Sequence, residues 1–269
     1  MIDIHTHLHP PRLFAAIRRW FAERSPWRLE HPTEPGDVAA ALRAAGVERF
    51  VFCSYAHRAG MARSLNAWLT HTARELGGYG LPLATVHLDD PGYVADFEDA
   101  IAEGCIGLKV HEDVQRLQVD DARFAPIFER LGSRGFVLAH VGPIPWRVDR
   151  TGPDRVKRLL QRHPSLNFVV AHMGGDDAAA YFALMDSFAN LYLDTTMAFA
   201  AVSPMRIAVP TTLLERHADR VLYGTDYPNV PYPYDSEMRA LRGLELSEAA
   251  QRSIFHDNAS RLLVNSLTP

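Results

Sequence analysis

Five residues stand where their side chains could act together: His5, His7, His140, His172 and Asp226. His5 and His7 lie two apart in IDIHTH. An extended chain turns alternate side chains to one face, so both imidazoles point the same way and can share one ion. His140 ends the apolar run VLAH, His172 ends VVAH, and Asp226 closes LYGTD. Neutral imidazoles with one carboxylate suit Zn²⁺, with Mn²⁺ or Fe²⁺ as alternatives, and leave a position open for water. An ion in such a site lowers the pKa of bound water toward ~7. Asp226 then either ligates the ion or takes a proton from the water. His172 either polarises a substrate or protonates a leaving group. Each residue also has a plainer role: a satisfied core histidine for His140 and His172, or a helix N-cap for Asp226.

Positions 5 to 226 need a frame that brings them together. Short apolar runs predict strands at 2–5, 49–54, 83–87, 106–111, 136–141, 168–172, 191–195 and 221–225. Amphipathic stretches predict helices at 11–23, 37–45, 61–76, 93–103, 122–134, 154–162, 177–188, 205–217, 236–243 and 248–263. Nearly continuous apolar strands alternating with helices indicate a parallel sheet covered on both faces. Eight such units within ~250 residues indicate an α/β fold closed as a (β/α)8 TIM barrel. It is expected as a single domain over 1–269, with an extra helical segment after the first strand. An open doubly wound sheet is the weaker alternative, because no Gly-rich phosphate turn follows the first strand. The five residues then meet at the C-terminal mouth of the barrel. Loops at 143–152 and 227–234 (YPNVPYPY) are candidates for a rim or lid.

The wording of these segments resembles the amidohydrolase superfamily, and within it the amidohydrolase-related branch. The resemblance rests on DIHTHLHP, AHVG, AHMGG, NLYLDTT, YGTDYP and the closing HDNASRLL, and it spans nearly the whole chain. It implies a (β/α)8 barrel with one divalent metal held by His5, His7, His140 and Asp226, and His172 facing the substrate. Lys109, in GLKVH, falls where some superfamily members carry a carboxylated lysine bridging two metals. A single metal is the expectation here, with Lys109 and its i+2 neighbour His111 facing substrate instead. The resemblance also makes a homodimer an expectation.

Further substrate contacts are expected from the rim: Arg58, Trp146, Arg147 and Asn229, the arginines suiting a carboxylate. Asp194, ending the seventh strand, is a candidate for orienting another group or for capping. The chain holds 13 histidines. His5, His7, His9, His57, His87, His111, His140 and His172 follow strand ends, whereas His31, His71, His163, His217 and His256 read as structural.

Hydrophobic residues make up 47% and charged residues 22% of 269, enough for a full core. A net charge of −4 without charge blocks argues against nucleic acid or a membrane surface as partner. Two cysteines make no disulfide framework, and MIDIHTHLHPP holds no apolar signal core, so a cytoplasmic setting is expected. Three functions fit. The first is a metal-dependent hydrolase of a small lactone, amide or ester. The second is a non-oxidative decarboxylase of an aromatic or muconate-like acid. The third is a barrel that binds metal or ligand without turnover.

Overall fold

The computed structural model describes residues 1–141 and 152–267. Strand β1 (Ile2–His7) leads into helices α1 (Pro11–Arg24) and α2 (Pro35–Ala44). Then come β2 (Arg49–Cys53), α3 (Ala62–Glu75), β3 (Gly80–Pro82), α4 (Tyr93–Ala102), β4 (Gly107–His111) and the short α5 (Glu112–Gln115). The middle of the chain forms α6 (Ala125–Leu131), β5 (Phe136–His140), α7 (Pro153–Arg162), β6 (Asn167–Val170), α8 (Ala178–Met185) and β7 (Leu191–Asp194). It finishes with α9 (Thr211–Arg216), β8 (Val221–Leu222), α10 (Asp235–Arg242), α11 (Glu248–Arg252) and α12 (Asn258–Leu267). Pro11, Pro35 and Pro153 each open a helix, where the missing N–H would have had no helical partner.

Strands β1 to β3 form one parallel ladder and β4 to β8 another. Two seams join them into a ring. At one, Ala84 N donates to Gly107 O (2.9 Å) and Lys109 N to Ala84 O (2.8 Å). At the other, Ile4 N donates to Tyr223 O (2.9 Å) and His7 N to Tyr227 O (2.8 Å). The result is the expected TIM barrel. Alternate residues of the central strands face opposite ways, as buried parallel strands require. Leu108, Val110, Val137, Ala139, Phe168 and Val170 pack with Phe128, Leu159 and Phe182 of the helices. Phe136, Leu138 and Val169 pack in another cluster with Leu222 and with Ala259 and Leu262 of α12.

β1 contains a local irregularity that serves the site. Asp3 pairs with Phe50 and Thr6 with Phe52, so β1 spends one residue more than β2 across this interval. A bulge of this kind changes the phase of the side chains. Ile2 and Ile4 join the apolar cluster containing Leu138 and Val169, yet His5 and His7 both line the cavity.

The structure shifts several expected boundaries, and the cause is visible in each case. The third strand lies at Gly80–Pro82 rather than 83–87, because Asn66 takes the backbone of Thr85 out of the ladder, accepting from its N (2.9 Å) and donating to its O (3.0 Å). The sixth strand stops at Val170, where the chain enters a left-handed turn at His172, Met173 and Gly174. The eighth is only Val221–Leu222; beyond it, Thr225 N and Asp226 N converge on His5 O. The helix expected at 205–217 begins only after Pro210. The last helix is interrupted by a π-turn at Ser253–Asp257. Among the described residues no helix is long and apolar enough to cross a membrane. Cys53 and Cys105 are both buried free thiols.

The segment after β7 is anchored by Glu237 of α10, whose carboxylate accepts from Phe199 N and Ala200 N, both at 2.9 Å. Glu237 is fully buried, and burial pushes its carboxyl up to about 7 against the lowering effect of those bonds. A raised folded-state value stabilises the fold below the unfolded value and loses that contribution as pH rises through about 7. Urea unfolding from pH 4.5 to 8 should therefore show a loss on the order of 3 kcal/mol from this group. Glu237→Gln should lack that slope, so its deficit relative to the wild type should shrink with rising pH. A deficit constant with pH would contradict the assignment.

Candidate active site

A cavity of about 630 Å³ opens at the mouth of the barrel, among the described residues. His5, His7, Lys109, His111, His140, His172, Asp226 and Asn229 all line it. Arg58 does not: it is exposed and lies outside the lining, because the chain after β2 carries it to the surface. That corrects its expected place among the substrate contacts. Trp146 and Arg147 fall outside the described residues.

His5 sits at the centre. Its Nδ1 donates to Asp194 Oδ2 at 2.8 Å, which fixes the tautomer and leaves the Nε2 lone pair facing the cavity. Lys109 Nζ donates to that Nε2 at 2.9 Å, and Asp226 Oδ1 lies 3.3 Å from it. Burial and the nearby Lys109 charge hold His5 well below the ordinary imidazole value, so it stays neutral. His111, His140 and His172 are likewise held low, in each case chiefly by burial.

His7 behaves differently. Burial works against its charge, but Cys53 and Asp226 outweigh it and raise His7 to about 10. Its Nε2 donates to Asp226 Oδ1 at 2.9 Å, and its Nδ1 meets Cys53 Sγ at 3.4 Å. Burial pushes the Asp226 carboxyl up, yet His7 and His5 hold it well below the usual carboxylate range. An ionised, partly buried carboxylate thus draws a positive charge to one point between two imidazoles. The donor set fits a divalent cation, which would take over the position of the His7 proton.

The tightest donor clusters are His5, His172 and Asp226, and His5, His7 and Cys53, each with ligand atoms within 4.8 Å of one another. His140 falls in neither. Its ring stacks on His111 at 4.2 Å and lies 4.6 Å from His172. The structure thus brings His172, rather than the expected His140, together with His5 and Asp226, and His140 lies one ring further out.

Backbone strain marks the same place. Arg116, His172, Met173, Met197 and Asp226 are non-glycine residues with φ between 53° and 69°. Four of them, all but Met173, line the cavity. Such conformations persist only where the surroundings impose them, and they gather at functional sites. For His172 the imposing group is Asp194, whose Oδ1 accepts from His172 N at 2.8 Å and from Thr196 N at 3.1 Å. His172 Nδ1 then donates to Thr196 O at 3.1 Å.

The family model described as Amidohydrolase matches residues 2–264. The chain belongs to the amidohydrolase family. Its fold is shared with an uncharacterised TIM-barrel protein from Bordetella bronchiseptica, at 21% identity and a TM-score of 0.74, over 99% of both chains. A 5-carboxyvanillate decarboxylase from Novosphingobium aromaticivorans, complexed with manganese and a nitrobenzoic acid, aligns at 17% identity and a TM-score of 0.72, over 98% of this chain and 95% of that one. A probable 2-pyrone-4,6-dicarboxylic acid hydrolase from Acinetobacter baumannii aligns at 13% identity and a TM-score of 0.68, over 98% of both. At these identities the likeness establishes the barrel fold alone. No curated protein matches the chain.

Three contributors carried no strong signal in the sequence. Asp194 was recognisable as a strand-end acid but not as the group that holds two histidines. Cys53 reads as a core residue. The third is α1: Leu13, Ala16, Ile17, Trp20 and Phe21 have the spacing of a core-facing helix, but they line the cavity instead.

Asp194→Asn should keep the barrel but mis-set His5 and the His172 turn. Outer partners of a ligand histidine typically govern affinity ~10–100-fold. Competition with a chromogenic chelator should show metal retention weakened by about that factor, with the thermal midpoint recorded alongside. Retention equal to wild type would remove Asp194 from this role.

Proposed function

We propose that the chain is a metal-dependent hydrolase of a small carbonyl substrate such as a lactone, amide or ester. One divalent ion, Zn²⁺ first and Mn²⁺ or Fe²⁺ next, would be held by His5, His7, His140 and Asp226. The observation that carries this reading is the Asp226 carboxylate, held well below the usual carboxylate range and set 3.3 Å from His5 Nε2 and 2.9 Å from His7 Nε2 at the cavity. When bound, a divalent cation supplies Lewis acidity to water or to a substrate oxygen.

The protein groups divide the remaining work. Asp226, ionised and set against two imidazoles, is placed to accept the proton of the attacking water at a carboxylate oxygen. His172 has its Nδ1 committed to Thr196 O. That leaves Nε2 to meet the developing oxyanion or the leaving group. Lys109 is 1% exposed and its Nζ makes no ion pair among the described residues. A buried cation without an anion is costly, so Lys109 suits charge that develops in the substrate. His111 Nδ1 and Asn229 Oδ1 are buried without partners, as expected of groups that a substrate would satisfy.

Decarboxylation of an aromatic acid is the second reading. It is favoured by the aromatic wall that Trp20, Phe21, Trp27 and Tyr55 give the cavity. A ring lying there would lose CO₂ and take a proton at the vacated carbon.

Protein purified without chelator should hold about one divalent ion per chain, and His5→Ala should lose it. His140→Ala should lose the ion, whereas His172→Ala should keep it and lose turnover by ~10²-fold or more. The reverse pattern would exchange their roles. A panel of lactones and arenecarboxylates then separates the chemistries. Ring opening without gas supports hydrolysis, and CO₂ release overturns it in favour of decarboxylation.

A further inference from the structure

Two groups at the cavity take no part in the proton transfers above, and both flank the four-residue helix α5. His111 precedes the helix and Arg116 follows it. His111 is 7% exposed, and its Nδ1 is buried with no hydrogen-bond partner. Its backbone N donates to Gln115 Oε1 at 2.8 Å. Gln115 is itself tied down, donating to Val86 O at 2.8 Å and Ala56 O at 3.2 Å. The segment is therefore braced to two neighbouring loops of the barrel.

Arg116 stands at φ 55°, a left-handed position that a long side chain rarely adopts. Glycine or asparagine would normally occupy it. Arg116 lines the cavity; its backbone N donates to Glu112 O, but its guanidinium makes no hydrogen bond or ion pair among the described residues. The other arginines of this face contrast with it: Arg123, Arg155 and Arg158 are all paired with aspartates. Of the two acids that line the cavity with it, Asp226 is committed to His7 and His5, and Asp113 makes no ion pair with Arg116. An exposed guanidinium at a strained backbone position on the cavity lining, with no ion pair among the described residues, is placed for an anion from outside. Opposite charge and bidentate geometry make a carboxylate its best partner.

We infer that Arg116, with His111, forms an anion subsite that selects substrates carrying a carboxylate remote from the reacting group. The apolar stripe of α1 at Leu13, Ile17, Trp20 and Phe21 covers the ring that bears it. The substrate class is then a small ring acid with a second acidic group. This rests on the cavity being the substrate site proposed above, but its test does not require turnover.

Metal-loaded protein is titrated calorimetrically with isophthalate and with 3-carbamoylbenzoate, which differ only in one carboxylate. A charge-assisted pair predicts that the wild type prefers isophthalate by about tenfold or more. Arg116→Asn, which tolerates the left-handed backbone, should bring the two probes within about twofold. Arg116→Gly should do the same, and Arg116→Lys should restore part of the preference. Metal content should stay at the wild-type level in all three. No binding of either probe, no preference in the wild type, or a preference that survives in Arg116→Asn overturns the subsite. A protein that shows the preference but turns over no lactone, amide, ester or arenecarboxylate overturns the proposed function and leaves the subsite standing.

Discussion

The carboxylate of Asp194 is the point on which the site turns. It is wholly buried at the end of β7 and reaches three groups from two directions. One oxygen takes the Nδ1 proton of His5 from β1. The other takes the backbone N–H groups of His172 and Thr196. The first contact decides which nitrogen of His5 faces the cavity. The second holds the chain in the left-handed turn that His172 could not adopt cheaply by itself. Burial raises its carboxyl above the ordinary carboxylate value, and the bond from His172 N and the nearby Lys109 charge only partly offset this. Removing this one group would release the His5 ring and a strained turn together.

The electrostatics follow from the same crowding. Five buried imidazoles, one lysine and the Asp226 carboxylate share the cavity, which His57 and Asp113 also line. Four of the imidazoles stay neutral because burial and the neighbouring cations disfavour further charge. His7 alone is driven toward the charged form, beside Cys53 and Asp226. A cluster of lone pairs around one anion is unstable unless something positive joins it. In the protein that role falls to the His7 proton. A divalent ion would fill it with more charge and without burying an imidazolium.

Much of this arrangement could be read from the sequence, because the barrel repeats one simple pattern. Eight apolar runs alternating with amphipathic ones located the strands and, through the strand ends, the convergence of His5, His7, His140, His172 and Asp226. What escaped lies where side chains override that pattern. Asn66 captures the backbone of Thr85 and ends the third strand early, and no propensity announces a side chain from 19 positions away. The bulge in β1 depends on the pairing of Asp3 and Thr6 with β2, so periodicity within β1 could not reveal it. Arg58 and Arg116 look alike as loop arginines. Both are exposed, and only the three-dimensional course of each loop sets Arg116 on the cavity lining and Arg58 outside it.

The helix α1 shows why the floor of such a site is easier to read than its wall. It lies between β1 and β2 and belongs to none of the ladders that close the barrel. Phe14 is its one buried residue. Its i, i+3, i+4 stripe obeys the rule for a core-facing helix, but the apolar space it faces is the cavity. The barrel must keep Asp194, His5 and Asp226 in register because its own seams run through them: His5 O receives Asp226 N at 2.9 Å. No such seam constrains α1 or the Arg116 turn. The chemistry at the floor is thus tied to the stability of the fold, whereas the walls can change with little effect on it. One floor can then serve hydrolysis or decarboxylation, with α1 and Arg116 determining which ring and which acid reach it.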